Sequence, residues 1–354
     1  MIRVSAIVSL YNSLEFVEGC LQDLVEQTIF ARGELEILVI DSNSPQNERE
    51  VVERFQQRYP NIRYMRTSER ETLYQAWNQG IELAHGRYIT NANSDDRHHP
   101  ECLDILAWEL DSAPEIDLVY ADVFESCKPN EAFVNNSGGR RYTYSPFFAP
   151  MSLLNYQFGC QPMWRESVHG VIGRFSESYR AAGDWEFCVR FSLAGLKARH
   201  IPRVLGSFLQ RETSISTRDD TSHREQADIY ENLTEENILT LYRYEGFPLD
   251  TPRDRARAFT DFAHRASSLV LPWEPAQTYL EPRAALMCCL AAFNLDREDP
   301  RVAWNLGVSL HRASHRQEAV PFLQKGVYAN DPAIFDAINA FRRGEPVELP
   351  LVSL

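Results

Sequence analysis

The run LEILVID, beginning at Leu35, is apolar at almost every position. A strand with one face in water alternates apolar and polar residues, so a run without alternation reads as buried on both faces, as in a parallel sheet covered by helices. Val51, Val52, Phe55 and Tyr59 follow it at helical spacing. The same order occurs upstream, where the strand-like VSAIVSLYN precedes Leu14, Val17, Leu21 and Leu24, with Asn12 or Ser13 as candidate N-cap. NIRYMRT is a third strand, followed by Leu73, Trp77, Ile81 and Ala84 on a helix stopped by Gly86. The fourth strand lies in GRYITNANSDDRHHP, whose Pro100 stands where a helix can begin. Strands alternating with helices predict right-handed crossovers and an α/β fold with a mostly parallel, Rossmann-like sheet.

At 354 residues the chain exceeds the roughly 250–300 residues at which a single core stops growing, so two domains are expected. The division falls near STRDDTSHREQ, where the sequence turns strongly polar, giving residues 1–222 and 223–354. Between residues 121 and 182 the periodicity weakens and long loops around one further strand or helix are expected. DWEFCVRFSLAG then reads as a helix, with Phe187, Phe191 and Leu193 or Ala194 facing a core, and Gly195 ends it. ARHIPRVLGSFLQ reads as short strands, and the chain is expected to be helical throughout from about residue 225.

A net charge of −14 argues against a nucleic-acid partner, which calls for a basic face. No apolar run approaches the ~20 residues that span a bilayer, and MIRVSAIVSLYNS lacks the layout of a secretory signal. The expectation is a cytoplasmic protein without a transmembrane segment, with room for peripheral contact at the inner face of a membrane. The seven cysteines are scattered without C-x-x-C spacing, which reads as reduced thiols rather than a zinc site or a disulfide framework.

In open sheets of this kind ligands sit beyond the carboxyl ends of the strands. Three polar clusters fall there: Ser9 to Ser13, Asp41 to Ser44, and Asn91 to Asp96. Asn, Ser and Asp are also ordinary turn residues. Oxygen ligands at a strand end are equally what a hard divalent cation needs when it holds a diphosphate.

VSAIVSLYN, LEILVIDSNS, AWNQGIELAHGRYITNANSDD and AAGDWEFCVRFSLAG, in that order, resemble successive signatures of the family 2 inverting glycosyltransferases, which have the GT-A nucleotide-sugar-binding fold. The resemblance covers roughly residues 2 to 216. It implies transfer of a sugar from a nucleotide-sugar donor to a hydroxyl, with Mn²⁺ or Mg²⁺ on the donor diphosphate. The family's D-x-D motif falls on Asn93, Ser94 and Asp95, so Asp95 is the implied metal ligand and Asn93 stands where the family has Asp. Asp96 is a neighbour that could support the metal ligand. Asp184 matches the catalytic base, with Glu186 as the alternative; without the resemblance, Asp184 reads equally well as a helix cap.

For the nucleotide, Ser9 could hydrogen-bond the base and Tyr11 could stack on it. Asp41 matches the first residue of the family's acidic pair, and Ser42 stands in for the second, which leaves uracil first among the bases with guanine and thymine open. Asn78 and Gly80 match an N-x-G helix, where ligand contact and close helix-to-strand packing are both open. In QPMWRESVHG, Trp164 offers a platform for an acceptor sugar and Arg165 a phosphate contact, each against the plain reading of a core Trp and a surface Arg. In FLQRETSIS, Arg211 occupies the place of a His that often meets metal or diphosphate, and a fixed cation there could neutralise the diphosphate without binding metal.

AWNLGVSLHRASHRQEAVPFLQKGVYANDP resembles a tetratricopeptide unit, with Ala303, Leu306, Gly307, Leu310, Ala319 and Leu323 at its small and apolar positions, and EPRAALMCCLAAFNLDREDP looks like the end of a preceding copy. A TPR-like region near 282–335 implies a protein partner, an acceptor or another subunit. The acceptor itself is open among a glycan, a lipid-linked sugar and a protein side chain. The rival to an enzyme is a degenerate transferase domain in which Asn93 and Ser42 mark lost chemistry and the helices recruit partners. A nucleotidyltransferase fits less well, because no glycine-rich phosphate loop follows the first strand.

Overall fold

In the first of two compact units, Met1–Phe147 with Asn155–Ile229, the predicted alternation is present: β1 (Val4–Leu10), α1 (Val17–Val25), α2 (Thr28–Ala31), β2 (Leu35–Asp41), α3 (Glu48–Gln56), β3 (Ile62–Arg66), α4 (Leu73–Leu83), β4 (Tyr88–Asn91), β5 (Arg97–His98) and α5 (Cys102–Ser112). There follow β6 (Leu118–Ser126), β7 (Arg141–Tyr142), β8 (Met163–Arg165), α6 (Val168–Ile172), α7 (Gly183–Leu193), β9 (Ala198–Leu209) and α8 (Thr221–Ile229). The computed structural model describes residues 1–136, 139–211, 220–270, 278–279, 282–343 and 347–354. Parts of FLQRETSIS and STRDDTSHREQ, and Glu281 of the repeat-like stretch, lie outside the described residues.

The sheet runs β3-β2-β1-β4-β8-β6-β9-β5, with β7 on β6. β1, β2, β3, β4, β6 and β9 share one direction, so it is mixed but mostly parallel. β2 is buried at every position, as its unbroken apolar run requires. Leu10 pairs with Asp41, Asp41 with Arg66, and Ile7 with Asn91, so the three polar clusters leave the sheet at the same edge. α1 begins later than its spacing suggested: Asn12 is left-handed (φ 54°), Leu14 is exposed, and the helix is entered at Phe16.

Gly80 explains how close α4 comes to β1. A Cβ there would lie 2.5 Å from Ile7 Cγ2, so the packing half of the N-x-G expectation holds. Gly80→Val is expected to cost about 1–3 kcal/mol through overpacking, read as a lower urea midpoint; an unchanged midpoint would contradict the close approach.

ARHIPRVLGSFLQ forms one strand, β9, rather than short ones. Its pairing with β6 jumps from Ala121↔Ile201 to Asp122↔Val204, so Pro202 and Arg203 bulge out and the strand continues past a residue that has no N–H to donate.

The second unit, Phe148–Leu154 with Tyr230–Leu354, contains α9 (Glu235–Tyr244), α10 (Pro252–Ala266), β10 (Leu269–Val270), β11 (Thr278–Tyr279), α11 (Pro282–Leu295), α12 (Pro300–Arg312), α13 (Arg316–Gly326) and α14 (Pro332–Arg342). The antiparallel pair β10–β11 corrects the expectation of an uninterrupted helical region. Thr251 and Asp254 form a capping box with Pro252 in the first turn, and Asp299 caps α12 through the Arg301 N–H. Cβ atoms at Gly307 and Gly326 would meet Leu323 Cγ at 2.8 Å and Trp304 Cβ at 2.5 Å, so small residues let α12 and α13 approach closely. Among the described residues no helix is long and apolar enough to cross a membrane.

Candidate functional site

The turns after β1 and β2 are laced together. Asn12 N–H donates to Ser44 Oγ at 3.0 Å, and buried Glu48 accepts from the Ser13 N–H at 2.8 Å and from the Ser44 hydroxyl at 2.7 Å. Asp41 is fully buried. Its Oδ1 accepts from Ser44 N–H at 2.7 Å, and its Oδ2 from the Tyr64 hydroxyl at 2.6 Å and Arg66 Nη1 at 2.7 Å. Burial, then the bond to Asp41, pushes the Tyr64 phenol up to about 12, so it remains a donor. Ser42 is buried beside Asp41, Ser9 is half-buried near the end of β1, and the Tyr11 ring carries the Arg70 guanidinium 4.1 Å from its centroid. Ser9, Tyr11, Asp41 and Ser42 therefore share one edge, but both oxygens of Asp41 are already engaged.

The β4 end is braced from below. Arg97 is buried and donates to the carbonyls of Ser94 (3.0 Å), Asp96 (2.6 Å) and Phe16 (3.5 Å), and to Asn130 Oδ1 at 2.5 Å. Asp96 is also buried, accepting from Leu209 N–H at 3.3 Å and Asn93 Nδ2 at 3.1 Å. Its carboxyl is pushed up to about 8, first by burial and then by Asp95. Asn93 thus supplies a donor to a buried acid that an Asp at its position could not supply.

Asp95 is partly exposed, and its Oδ2 accepts from Arg211 Nη2 at 2.6 Å. The Arg211 guanidinium lies 4.9 Å from the centroid of Phe16. Among the described residues no group of three or more His, Cys, Asp or Glu side chains is arranged to hold a metal. Asp95 Oδ1 and Asn93 Oδ1 carry no hydrogen bond among the described residues. That set fits a divalent ion that takes most of its oxygen ligands from a diphosphate and one charged ligand from the protein.

Asp184 lies in the first turn of α7, entered through Gly183, where a Cβ would sit 2.7 Å from Tyr74 Cε2. Its Oδ1 accepts from the Trp185 N–H at 2.9 Å and the Tyr74 hydroxyl at 3.3 Å; Oδ2 is open among the described residues. A helix N-terminus favours the carboxylate, but burial wins and pushes the group up to about 6, with the charge of Glu225 adding. Tyr156 and Cys160 face it. The Cys160 thiol is pushed up to about 12 by burial and then by Asp96, Asp184 and Asp95. Asp95, Asp96 and Asp184 thus all lie within electrostatic reach of Cys160.

Four expectations are corrected. Asn78 is buried, and its amide exchanges both bonds with the backbone of Phe175, at 2.9 and 3.0 Å, so it is tied up structurally. Trp164 is 2% exposed, its indole N–H donates to His169 at 2.9 Å, and its ring packs on Phe175 and Phe187, leaving no face for a sugar. Arg165 is buried and donates to the carbonyls of Ile116, Leu110 and Ala113 at the end of α5. Glu186 is held by Arg190 through both oxygens. Tyr74, Tyr156, Cys160 and Glu225 were not singled out. Their partners are distant in sequence, Glu225 lying 43 residues from Ala182, which it contacts, so no local spacing marks them.

A mostly parallel sheet with carboxylates at its strand ends, followed by a helical region, defines the GT-A class of fold. Residues 5–175 match the model of Glycosyl transferase family 2. Glycosyltransferase AglE of Haloferax volcanii is 26% identical over 206 residues, 57% of this chain and 66% of its own length. A PGL/p-HBAD biosynthesis glycosyltransferase of Mycobacterium bovis is 24% identical over 209 residues, 58% of this chain and 75% of its own. The chain thus spans just under two thirds of the archaeal relative. The structure of S. aureus TarS 1–349 in complex with UDP-GlcNAc is similar over 97% of this chain and 93% of that one, with a TM-score of 0.58 and 16% identity, which establishes the shared fold.

Proposed function

We propose that this protein is a metal-dependent inverting glycosyltransferase that moves a sugar from a nucleotide-sugar to an acceptor hydroxyl. The observation that carries the reading is Asp184. It is a carboxylate at a helix N-terminus whose Oδ2 carries no hydrogen bond among the described residues, and Asp95 and it both act on Cys160. Such a group can take the acceptor's proton as the new bond forms on the face opposite the leaving diphosphate. Asp95, with Asn93 beside it, would hold Mn²⁺ or Mg²⁺, which when bound supplies charge to the leaving diphosphate. Arg211 neutralises diphosphate charge from the other side of Asp95. Tyr11 and Ser9 meet the base, and Asp41 shapes the turn that presents Ser42. The UDP and UDP-GlcNAc complexes of S. aureus TarS make a uridine donor the first to test. Residues 223–354, TPR-like near 282–335, would engage a partner or acceptor, and a cytoplasmic location suits a nucleotide-sugar donor.

Proton NMR of a UDP-α-sugar incubated with protein and Mn²⁺ tests this reading. A β-configured released or transferred sugar is expected; an α product would refute inversion. The pH dependence has a definite sign. Asp184 must be ionised to accept a proton and is held at about 6, so turnover should fall with decreasing pH below about 6, approaching tenfold per pH unit. A rate constant from pH 7 to pH 5 would remove Asp184 from the role.

One observation favours the binding-protein reading: Arg211 already pairs with Asp95. A degenerate domain would keep that pair closed and show no metal-dependent nucleotide affinity.

A further inference from the structure

Three successive backbone N–H groups converge on one carboxylate. Glu225 Oε1 accepts from Arg180 N–H at 2.7 Å, and Oε2 accepts from Ala181 and Ala182 N–H, both at 2.8 Å. Ala182 is the residue from which α7 starts, so these bonds fix the entry into the helix that carries Asp184. Of the three, only the Ala182 N–H belongs to the start of the helix, whose leading N–H groups lack partners within it and attract anions; Arg180 and Ala181 form the turn into it. Here the anion is a side chain from α8.

We infer that Glu225 is a positioning residue for Asp184, holding the 180–182 turn from α8 and facing the base with a negative charge; the inference rests on Asp184 being that base. A neutral hydroxyl or amide would also satisfy backbone N–H groups at a helix start. What distinguishes a carboxylate is its charge, which adds to burial in favouring the protonated form of Asp184. The other described titratable groups facing Asp184 are Tyr74 from α4, Tyr156 and Cys160 from the segment before β8, and Cys188 on α7 itself. Burial pushes all four upward, and the carboxylates in reach are Glu225, and Asp95 and Asp96 across Cys160.

The test uses the full chain with ¹³C-labelled aspartate carboxyls, the Asp184 signal being assigned by its loss in Asp184→Asn. In Glu225→Gln the Asp184 titration midpoint should move to lower pH, and the acid limb of UDP-sugar turnover should move with it. Glu225→Asp, which keeps the charge, should stay near the wild-type midpoint. An unmoved midpoint in Glu225→Gln, or equal shifts in both variants, overturns the inference. A shifted midpoint together with undiminished transfer by Asp184→Asn would refute Asp184 as the base while leaving the coupling intact, so the two failures are distinguishable.

Discussion

Asn in place of Asp184 should lower sugar transfer by about 10²–10⁴-fold, the range a positioned general base contributes, while nucleotide affinity changes little. The shape is preserved. Asn can still accept from the Trp185 N–H and the Tyr74 hydroxyl, which now meet Oδ1, but it cannot take a proton at the open position. The acid limb of the pH profile should disappear with the rate. Paired measurements of initial rate and of nucleotide binding by calorimetry check this; transfer within a few-fold of wild type would remove Asp184 from the mechanism.

Asp95→Ala should act on binding. It removes the partly exposed carboxylate at the β4 end that we propose as the metal ligand and releases Arg211 from its 2.6 Å ion pair. Groups that merely support a metal ligand are worth about 10–100-fold in metal affinity, so losing the ligand itself should cost metal-dependent nucleotide affinity about 100-fold or more. Metal-free affinity should hold or rise, because Arg211 becomes free to meet the diphosphate. Isothermal titration with and without Mn²⁺ separates the two, and equal losses in both conditions would point to a collapsed loop rather than a lost ligand. The fold around Asp95 should survive, since Arg97 braces that loop through backbone carbonyls.

Much of this architecture was legible because the signals were local. LEILVID has no polar face to offer water, so its burial on both sides followed from its composition, and Gly80 allowed the close packing anticipated for an N-x-G helix. The carboxylates at the strand ends and at the start of α7 were legible through the order of their motifs. The acceptor-side residues were not. Trp164 and Arg165 carry the right chemistry, but residue type does not say which way a three-residue strand turns its side chains, and β8 is buried at all three positions. Glu186 looked available until Arg190, one helical turn on, closed on it. Arg211 pairs with Asp95 from 116 residues away, and Glu225 reaches the α7 entry from another helix, so neither contact leaves a local pattern.

On the proposed reading, Asn93, Ser94, Asp95 and Asp96 end their strand because a metal-bound diphosphate sits there. The most direct test is isothermal titration of the purified protein with UDP, GDP and dTDP, each with and without Mn²⁺. One nucleotide, UDP first, should bind tightly only when Mn²⁺ is present. Absence of binding by all three under both conditions would contradict the transferase account and leave the closed Arg211–Asp95 pair as the mark of a binding protein.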